Sequence, residues 1–306
     1  MSQPLLPSGV QVIERGWLSA NVVVATGAHN RALIDSGYWS HGEQTLALVQ
    51  TALHGHAPDL LLNTHLHSDH CGGNAVLQAS YPAMQTLIPP GQAALVTRWD
   101  PVGLSYAPTG QHCPPFHFEG LLTPGTDILL GDHSWEIHAA AGHDPHSVVL
   151  FQRESRTLIS ADALWENGFG IVFPELDGED AFDTVTATLD LIAQLAPITV
   201  IPGHGPVFAY SLATLQKAQA RLAAFVSNPV RHANHAAKVL LKFKLLELQK
   251  VHVATFHGWA LSTPLLELIR SRFFAQQQTD EWIAKLIAEL VAGGAARHDG
   301  DNIMNA

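Results

Sequence analysis

The chain has 306 residues, a formal net charge of −11, and 14% charged against 47% hydrophobic residues. That composition supports one large domain, alone or with a small appendage, and excludes general disorder. Residues 230–306 hold nine Lys/Arg and seven Asp/Glu, which leaves −13 on residues 1–229 and argues against a nucleic-acid groove there.

The first seven residues carry no basic side chain and no long apolar run, so no signal peptide is expected. Segments 10–14, 20–26 and 31–35 are rich in β-branched residues and punctuated by Gly16, Gly27 and Gly37, which predicts an antiparallel opening sheet. Residues 43–53 have helical spacing, with Leu46, Leu48, Val49 and Leu53 on the core face. An apolar strand follows at 59–63, then a helix at 74–79, a strand at 84–88 and a helix at 92–96.

Residues 99–125 contain Pro101, Pro108, Pro114, Pro115 and Pro124 with Phe116 and Phe118 between them. Such a stretch is either a lid or a disordered insert, and its aromatics favour a lid. His112 and His117 are read as lid residues and not as ligands. Strands are expected at 127–130, 135–139, 148–152 and 157–160, a long helix at 179–195 and a buried strand at 198–201. No apolar run reaches 18 residues, so no membrane span is expected. Cys71 and Cys113 do not make a disulfide framework, which points to a reduced, cytoplasmic setting.

Nineteen histidines are the composition's main signal, and they cluster. Directly after the strand at 59–63 come His65, His67, Asp69 and His70, four potential metal ligands within six positions, closed by Gly72-Gly73. Three later segments repeat the arrangement of a strand or turn delivering a ligand at its end: Gly142-His143, Ala161-Asp162 and Gly203-His204-Gly205. Ligands this far apart meet only if several strands end at one edge of a sheet.

In this order and at these spacings the residues resemble the motif of the metallo-β-lactamase-fold hydrolases, over about residues 10–225. The resemblance implies an α/β fold, an αββα sandwich with two divalent metal ions in a groove along one edge. The ions would be zinc, with iron or manganese as alternatives. One would be held by His65, His67 and His143, the other by Asp69, His70 and His204, with Asp162 bridging both. A metal-bridging hydroxide would attack a carbonyl, with Asp69 orienting it and taking its proton. Asp162 stands where true β-lactam hydrolases commonly have Cys, and His67 where redox di-iron relatives commonly have Glu. The turn around His143 is one residue shorter than in glyoxalase II, which makes His146 a neighbour of the ligands and not an eighth ligand.

A thiolate leaves with little protonation, whereas an amide nitrogen needs a positioned acid that the sequence does not offer. A thioester or related activated acyl compound is therefore the expected small-molecule substrate, with Trp165, Phe169 and Phe173 walling the acyl pocket. The alternatives are a metal-dependent endoribonuclease or phosphodiesterase and a mononuclear-iron sulfur dioxygenase of the same fold.

Asn228-Pro229 predicts a boundary between a catalytic domain, 1–227, and a C-terminal piece, 228–306. In that piece helices are expected over 236–249, 265–274 and 279–291, then a hairpin at Asp299-Gly300. Three helices and a hairpin resemble the small winged-helix appendage of some β-lactamase-like hydrolases. Its few cations suit nucleic acid poorly. It is expected to flank the groove or to mediate homodimerisation, and Lys242, Lys244 and Lys250 offer charge for an anionic tail such as a CoA phosphate.

Overall fold

The computed structural model describes residues 5–306. The first residues of the N-terminal reading, Met1 to Pro4, lie outside them. The chain divides into two compact units: the first runs up to Leu104 and over His112–Ala223, the second comprises Ser105–Gln111 and Ala224–Ala306.

The first unit is built on two six-stranded sheets. One contains, in spatial order, β1 (Val10–Ile13), β2 (Val22–Thr26), β3 (Arg31–Ile34), β4 (Leu60–Leu62), β5 (Gln85–Ile88) and β6 (Gly120–Leu121). Strands β1 to β3 pair antiparallel as expected, and β3 to β6 are parallel. The crossover segments carry α1 (Gly42–Ala52), the single turn α2 (Ser68–Cys71), α3 (Asn74–Ser80) and α4 (Ala93–Arg98). The second sheet uses β7 (Asp127–Leu130), β8 (His133–Ala139), β9 (Val148–Gln152), β10 (Thr157–Ala161), β11 (Thr199–Pro202) and β12 (Phe208–Ala209). Helices α5 (Phe173–Asp177) and α6 (Phe182–Leu195) connect β10 to β11, which pair in parallel.

Alternation along β2 shows why this is a sandwich. Val23 and Ala25 point to a core shared with Trp135, Ile137, Leu150, Ile159 and Ile201 of the other sheet. Val22 and Val24 point the opposite way, onto Val49 and Leu53 of the first helical layer and Leu77 of α3. Both faces of the sheet are thus buried, which gives the αββα layering.

Residues 99–125 are packed and not a disordered insert: Leu104, Tyr106, Cys113 and Phe116 are buried, and Trp99 meets the Phe116 ring edge-on at 5.4 Å. The helix expected over 179–195 begins only at Phe182, and the short α5 before it was not expected.

Helix α7 (Leu212–Ser227) runs across the boundary into the second unit. That unit holds α8 (Pro229–Leu248), β13 (Lys250–His252), α9 (Val253–Ser262), α10 (Pro264–Phe273), α11 (Thr279–Ala292), β14 (Ala296–Asp299) and β15 (Asn302–Asn305). Its three strands form one small sheet, and Leu241, Leu245, Phe256, Ile269, Trp282 and Leu286 are among its buried residues. Helix α9 escaped the sequence reading, because its apolar residues encircle it and give little periodicity. Ser105–Gln111 belong here: Leu265 N–H donates to Pro108 O at 3.0 Å, and Gly110 leaves no room for a side chain against Trp259.

The three lysines assigned to an anionic tail are already committed within this unit. Lys242 Nζ donates to Ala295 O at 2.6 Å and Asn305 Oδ1 at 2.5 Å. Lys244 pairs with Glu247 at 2.7 Å and Lys250 with Asp299 at 2.6 Å. Each of the three lysines therefore has a partner within its own unit. Among the described residues no helix is long and apolar enough to cross a membrane.

Candidate metal centre

The parallel pairs place the site. Strands β3 and β4 run the same way, as do β10 and β11, so their C-terminal ends lie together in each sheet. Beyond β4 come His65, His67, Asp69 and His70, and beyond β10 and β11 come Asp162 and His204. Strand β9 pairs antiparallel with β10, which brings the loop before it, carrying His143, to the same edge. A backbone bond of 2.9 Å from Val148 N–H to Thr64 O ties the two sheets at this point. A register irregularity in β10 leaves Ala161 at a φ of 46° and re-aims Asp162 into the site.

All seven predicted ligand residues converge. His67 Nδ1 lies 3.1 Å from His65 Nε2 and 2.8 Å from His143 Nε2. Asp162 Oδ2 lies 3.4 Å from His143 Nε2, 3.5 Å from His70 Nε2 and 3.9 Å from His204 Nε2. His204 Nε2 also lies 3.2 Å from Asp69 Oδ2. Three groups have ligand atoms within 4.8 Å of one another: His65/His67/His143, His65/His70/Asp162 and Asp69/His70/His204.

The outer atoms decide which nitrogens face inward. His143 Nδ1–H donates to Ile171 O at 2.5 Å, so Nε2 carries the lone pair. Thr64 Oγ1 donates to Asp35 Oδ2 at 2.8 Å, which leaves it to accept from His65 Nδ1 at 3.2 Å. His70 Nδ1–H donates to Asp35 Oδ2 at 2.7 Å, and His70 Nε2 is buried with no hydrogen-bond partner among the described residues. His67 turns Nε2 toward Asp144 Oδ2, 3.8 Å away. The inward nitrogens and carboxylate oxygens lie at the spacing of atoms that share a cation. The donor set, imidazole with carboxylate, suits divalent zinc or iron, so the residues fit the metals.

Protonation follows the same geometry. Burial lowers His65 well below the ordinary imidazole value, with the neighbouring histidines acting in the same sense. Burial, then His67, takes His143 down to about 4. Burial also opposes charge on His70 and His204, yet Asp35 and Asp162 hold His70 well above the ordinary value and Asp162 and Asp69 raise His204. Burial would raise Asp162, but His204 and His70 take it well below the carboxylate range. Protons therefore compete with a metal more at His70 and His204 than at His65 or His143. Metal affinity is expected to fall as pH drops through and below the raised imidazole values, and to level off above them. A chelator-competition titration across pH checks the direction; a pH-independent affinity would contradict it.

Asp35 was not found in the sequence, where it reads as an ordinary strand end. It accepts from His70 Nδ1, Thr64 N and Thr64 Oγ1 while adopting a φ of 62°. Asp35→Ala is expected to weaken metal binding roughly 10–100-fold without unfolding the chain, since outer partners fix ligand orientation. The same chelator titration reads this, and an unchanged affinity would remove the role.

The expected acyl-pocket aromatics separate. Phe173 is half-buried and meets the His67 and His143 rings edge-on at 5.2 and 5.7 Å. Trp165 is half-buried, and its Nε1–H donates to Asp162 Oδ1 at 3.1 Å. Phe169 is 1% exposed under the Arg221 guanidinium, so it keeps no surface for a substrate and is dropped from the wall. An unexpected aromatic, Trp17, is 56% exposed and stacks on His204 at 5.4 Å. His146 is exposed, and its backbone N–H donates to Asp144 Oδ1 at 2.7 Å.

Comparison with known proteins gives the same frame. A hydroxyacylglutathione hydrolase from Anaeromyxobacter dehalogenans is 30% identical over 183 residues, 58% of this chain and 62% of that protein. The matched part thus spans less than two thirds of that relative. An acyl-coenzyme A thioesterase from Gallus gallus is 24% identical over 62% of this chain and 73% of its own. A protein solved in a di-iron-bound form aligns at a TM-score of 0.53 with 28% identity, covering 65% of this chain and 94% of that one. A β-lactamase domain protein from Burkholderia ambifaria shares the fold over 99% of this chain and 93% of that one, at a TM-score of 0.59 and 17% identity. The model of the metallo-β-lactamase superfamily matches residues 15–204, a span that includes every one of the seven converging side chains. The chain belongs to the metallo-β-lactamase superfamily, whose members are generally metal-binding hydrolases.

Proposed function

We propose that the protein is a two-metal hydrolase of thioesters or related activated acyl compounds. The observation that carries the reading is the position of Asp162 Oδ2, within 3.9 Å of three histidines that belong to both ligand groups. We assign His65, His67 and His143 to one ion and Asp69, His70 and His204 to the other, with Asp162 shared. Two bound divalent ions, zinc by preference, would supply Lewis acidity and lower the pKa of a bound water toward neutrality.

The chain's own residues do the rest. Asp35, Thr64 and the Ile171 carbonyl fix the imidazole tautomers that face inward. Asp69 is the more exposed of the two carboxylates of the set, with its side chain at 16% and its Oδ2 3.2 Å from His204 Nε2, and we assign it the orientation of the bound water. Phe173 on one side and Trp165 with Trp17 on the other border the centre with apolar surface, which suits an acyl group.

The two curated relatives support a thioester. One is named as a hydrolase of hydroxyacylglutathione, the other as a thioesterase of acyl-coenzyme A, and both substrates release a thiol. A thiolate is stable near neutral pH, so the reaction needs no strong acid at the leaving atom. The charge of residues 1–229 weighs against the nuclease alternative. We read the second unit as a winged-helix-like appendage to the catalytic one, with a small acyl compound and not nucleic acid as partner.

Replacing Asp69 by Asn keeps the size of the side chain but removes its charge and exchanges one accepting oxygen for an NH2 donor. It is expected to lower kcat by at least a hundredfold, the usual scale for a general acid–base group, with the fold intact. Steady-state assays on acyl-CoA and acylglutathione substrates, with released thiol as readout, test both statements. Turnover of RNA but of neither thioester, or oxygen uptake with one iron per chain, would overturn the proposal.

A further inference from the structure

We propose that the loop 15–21 between β1 and β2 holds the Asp69/His70/His204 half of the centre, with Trp17 as a positioning residue for the His204 ring. Ala20 N–H donates to Asp69 O at 2.9 Å, and Asn21 N–H donates to Gly203 O at 2.7 Å. The Asn21 side-chain amide donates to Pro202 O at 3.0 Å and to Gly205 O at 2.8 Å. The backbones carrying Asp69 and His204 are thus both tied to one seven-residue loop, and Arg15 N–H closes it onto Asn21 Oδ1 at 2.9 Å.

The ring of His204 is held differently from those of His65, His70 and His143. His143 and His70 are each fixed by a hydrogen bond from the outer nitrogen, and His65 has Thr64. His204 Nδ1 is buried and has no hydrogen-bond partner among the described residues, on a side chain that is 4% exposed. In place of a bond, Trp17 stacks parallel on the ring, 5.4 Å away and tilted by 11°, while Trp165 meets it edge-on at 5.8 Å. Trp17 meets Trp165 edge-on in turn, at 5.3 Å. A ring free to rotate about Cβ–Cγ would point its lone pair away from a cation, and stacking removes that freedom. Among the described residues His65, His67 and His143 make no hydrogen bond to this loop.

The consequence is that the two ions differ in what supports them. The inference rests on the metal-centre part of the proposed function and not on the identity of the substrate. Its test is zinc titration of the intact chain against a chromophoric chelator, with ions per chain and two dissociation constants as readouts. Trp17 is largely exposed, so Trp17→Ala is expected to fold as the parent does, as checked by circular dichroism. It is expected to retain one ion with unchanged affinity and to bind the other 10–100-fold more weakly. Trp17→Phe, which keeps a stacking face, is expected to restore the second ion to within about threefold. Both ions bound by Trp17→Ala as tightly as by the parent, or both weakened equally, would overturn the inference. A parent chain that binds no zinc would instead remove the metal centre itself.

Discussion

Replacing Asp162 by alanine is expected to lower turnover by more than a thousandfold, about 4 kcal/mol of transition-state stabilisation, and to cut bound metal from two ions to at most one. Its Oδ2 lies 3.4, 3.5 and 3.9 Å from the inward nitrogens of His143, His70 and His204. Its Oδ1 is engaged by Trp165, so the carboxylate is fixed at both oxygens. Removing it takes away the carboxylate that reaches histidines of both ligand groups, so the two groups lose their shared member. Metal analysis by plasma emission alongside steady-state rates checks both effects. Two ions retained with near-parental turnover would contradict the assignment.

Gly203→Ala should be nearly as damaging, although it adds a single methyl group. A Cβ at this position would lie 2.3 Å from Asp162 Oδ1, 2.9 Å from His70 Cε1 and 3.1 Å from the Ala161 carbonyl carbon. None of these can yield freely. Ala161 accepts from Gly203 N–H at 2.8 Å, and Asp162 is held by Trp165. The methyl group therefore displaces two ligands together, and an ångström of misplacement at reacting groups costs on the order of a hundredfold in rate. We expect a loss of at least that size in kcat/KM with weakened metal binding. Gly205 is the control. A Cβ there meets nothing within 4 Å, and its φ of +85° makes alanine cost about 1–2 kcal/mol of stability by backbone strain alone. Equal losses of activity in the two variants would refute the steric argument.

The two glycines show where the sequence was legible and where it stopped. The pattern Gly203-His204-Gly205 announces a close approach, but only the packed structure tells which glycine meets a ligand and which serves a turn. The ligand residues were readable because each follows a strand as a chemically distinctive side chain. The parallel pairing of β3 with β4 and of β10 with β11 then brings them together. The longer strands of both sheets were readable as apolar runs between turn residues, whereas the two-residue strands β6 and β12 are too short to carry a pattern and were not expected.

What escaped the sequence are residues whose role depends on a distant partner. Asp35 terminates a strand as many aspartates do, and its bond to His70 spans 35 positions. Trp17 reads as a lone aromatic until it is found on His204. Phe169 and the lysines of α8 fail in the opposite sense. An aromatic after Asp162 and a run of lysines suggest a pocket and an anion site. In the fold the first is buried beneath Arg221, and Lys242 is spent on backbone carbonyls. Helix α9 was missed because apolar residues on all sides carry no period.

The most direct measurement is anomalous diffraction from crystals of the intact chain grown with zinc. The account predicts two anomalous peaks per chain, one within bonding distance of His65, His67 and His143, the other of Asp69, His70 and His204, with Asp162 touching both. No peak, or a single one with Asp162 or His204 turned aside, would contradict it.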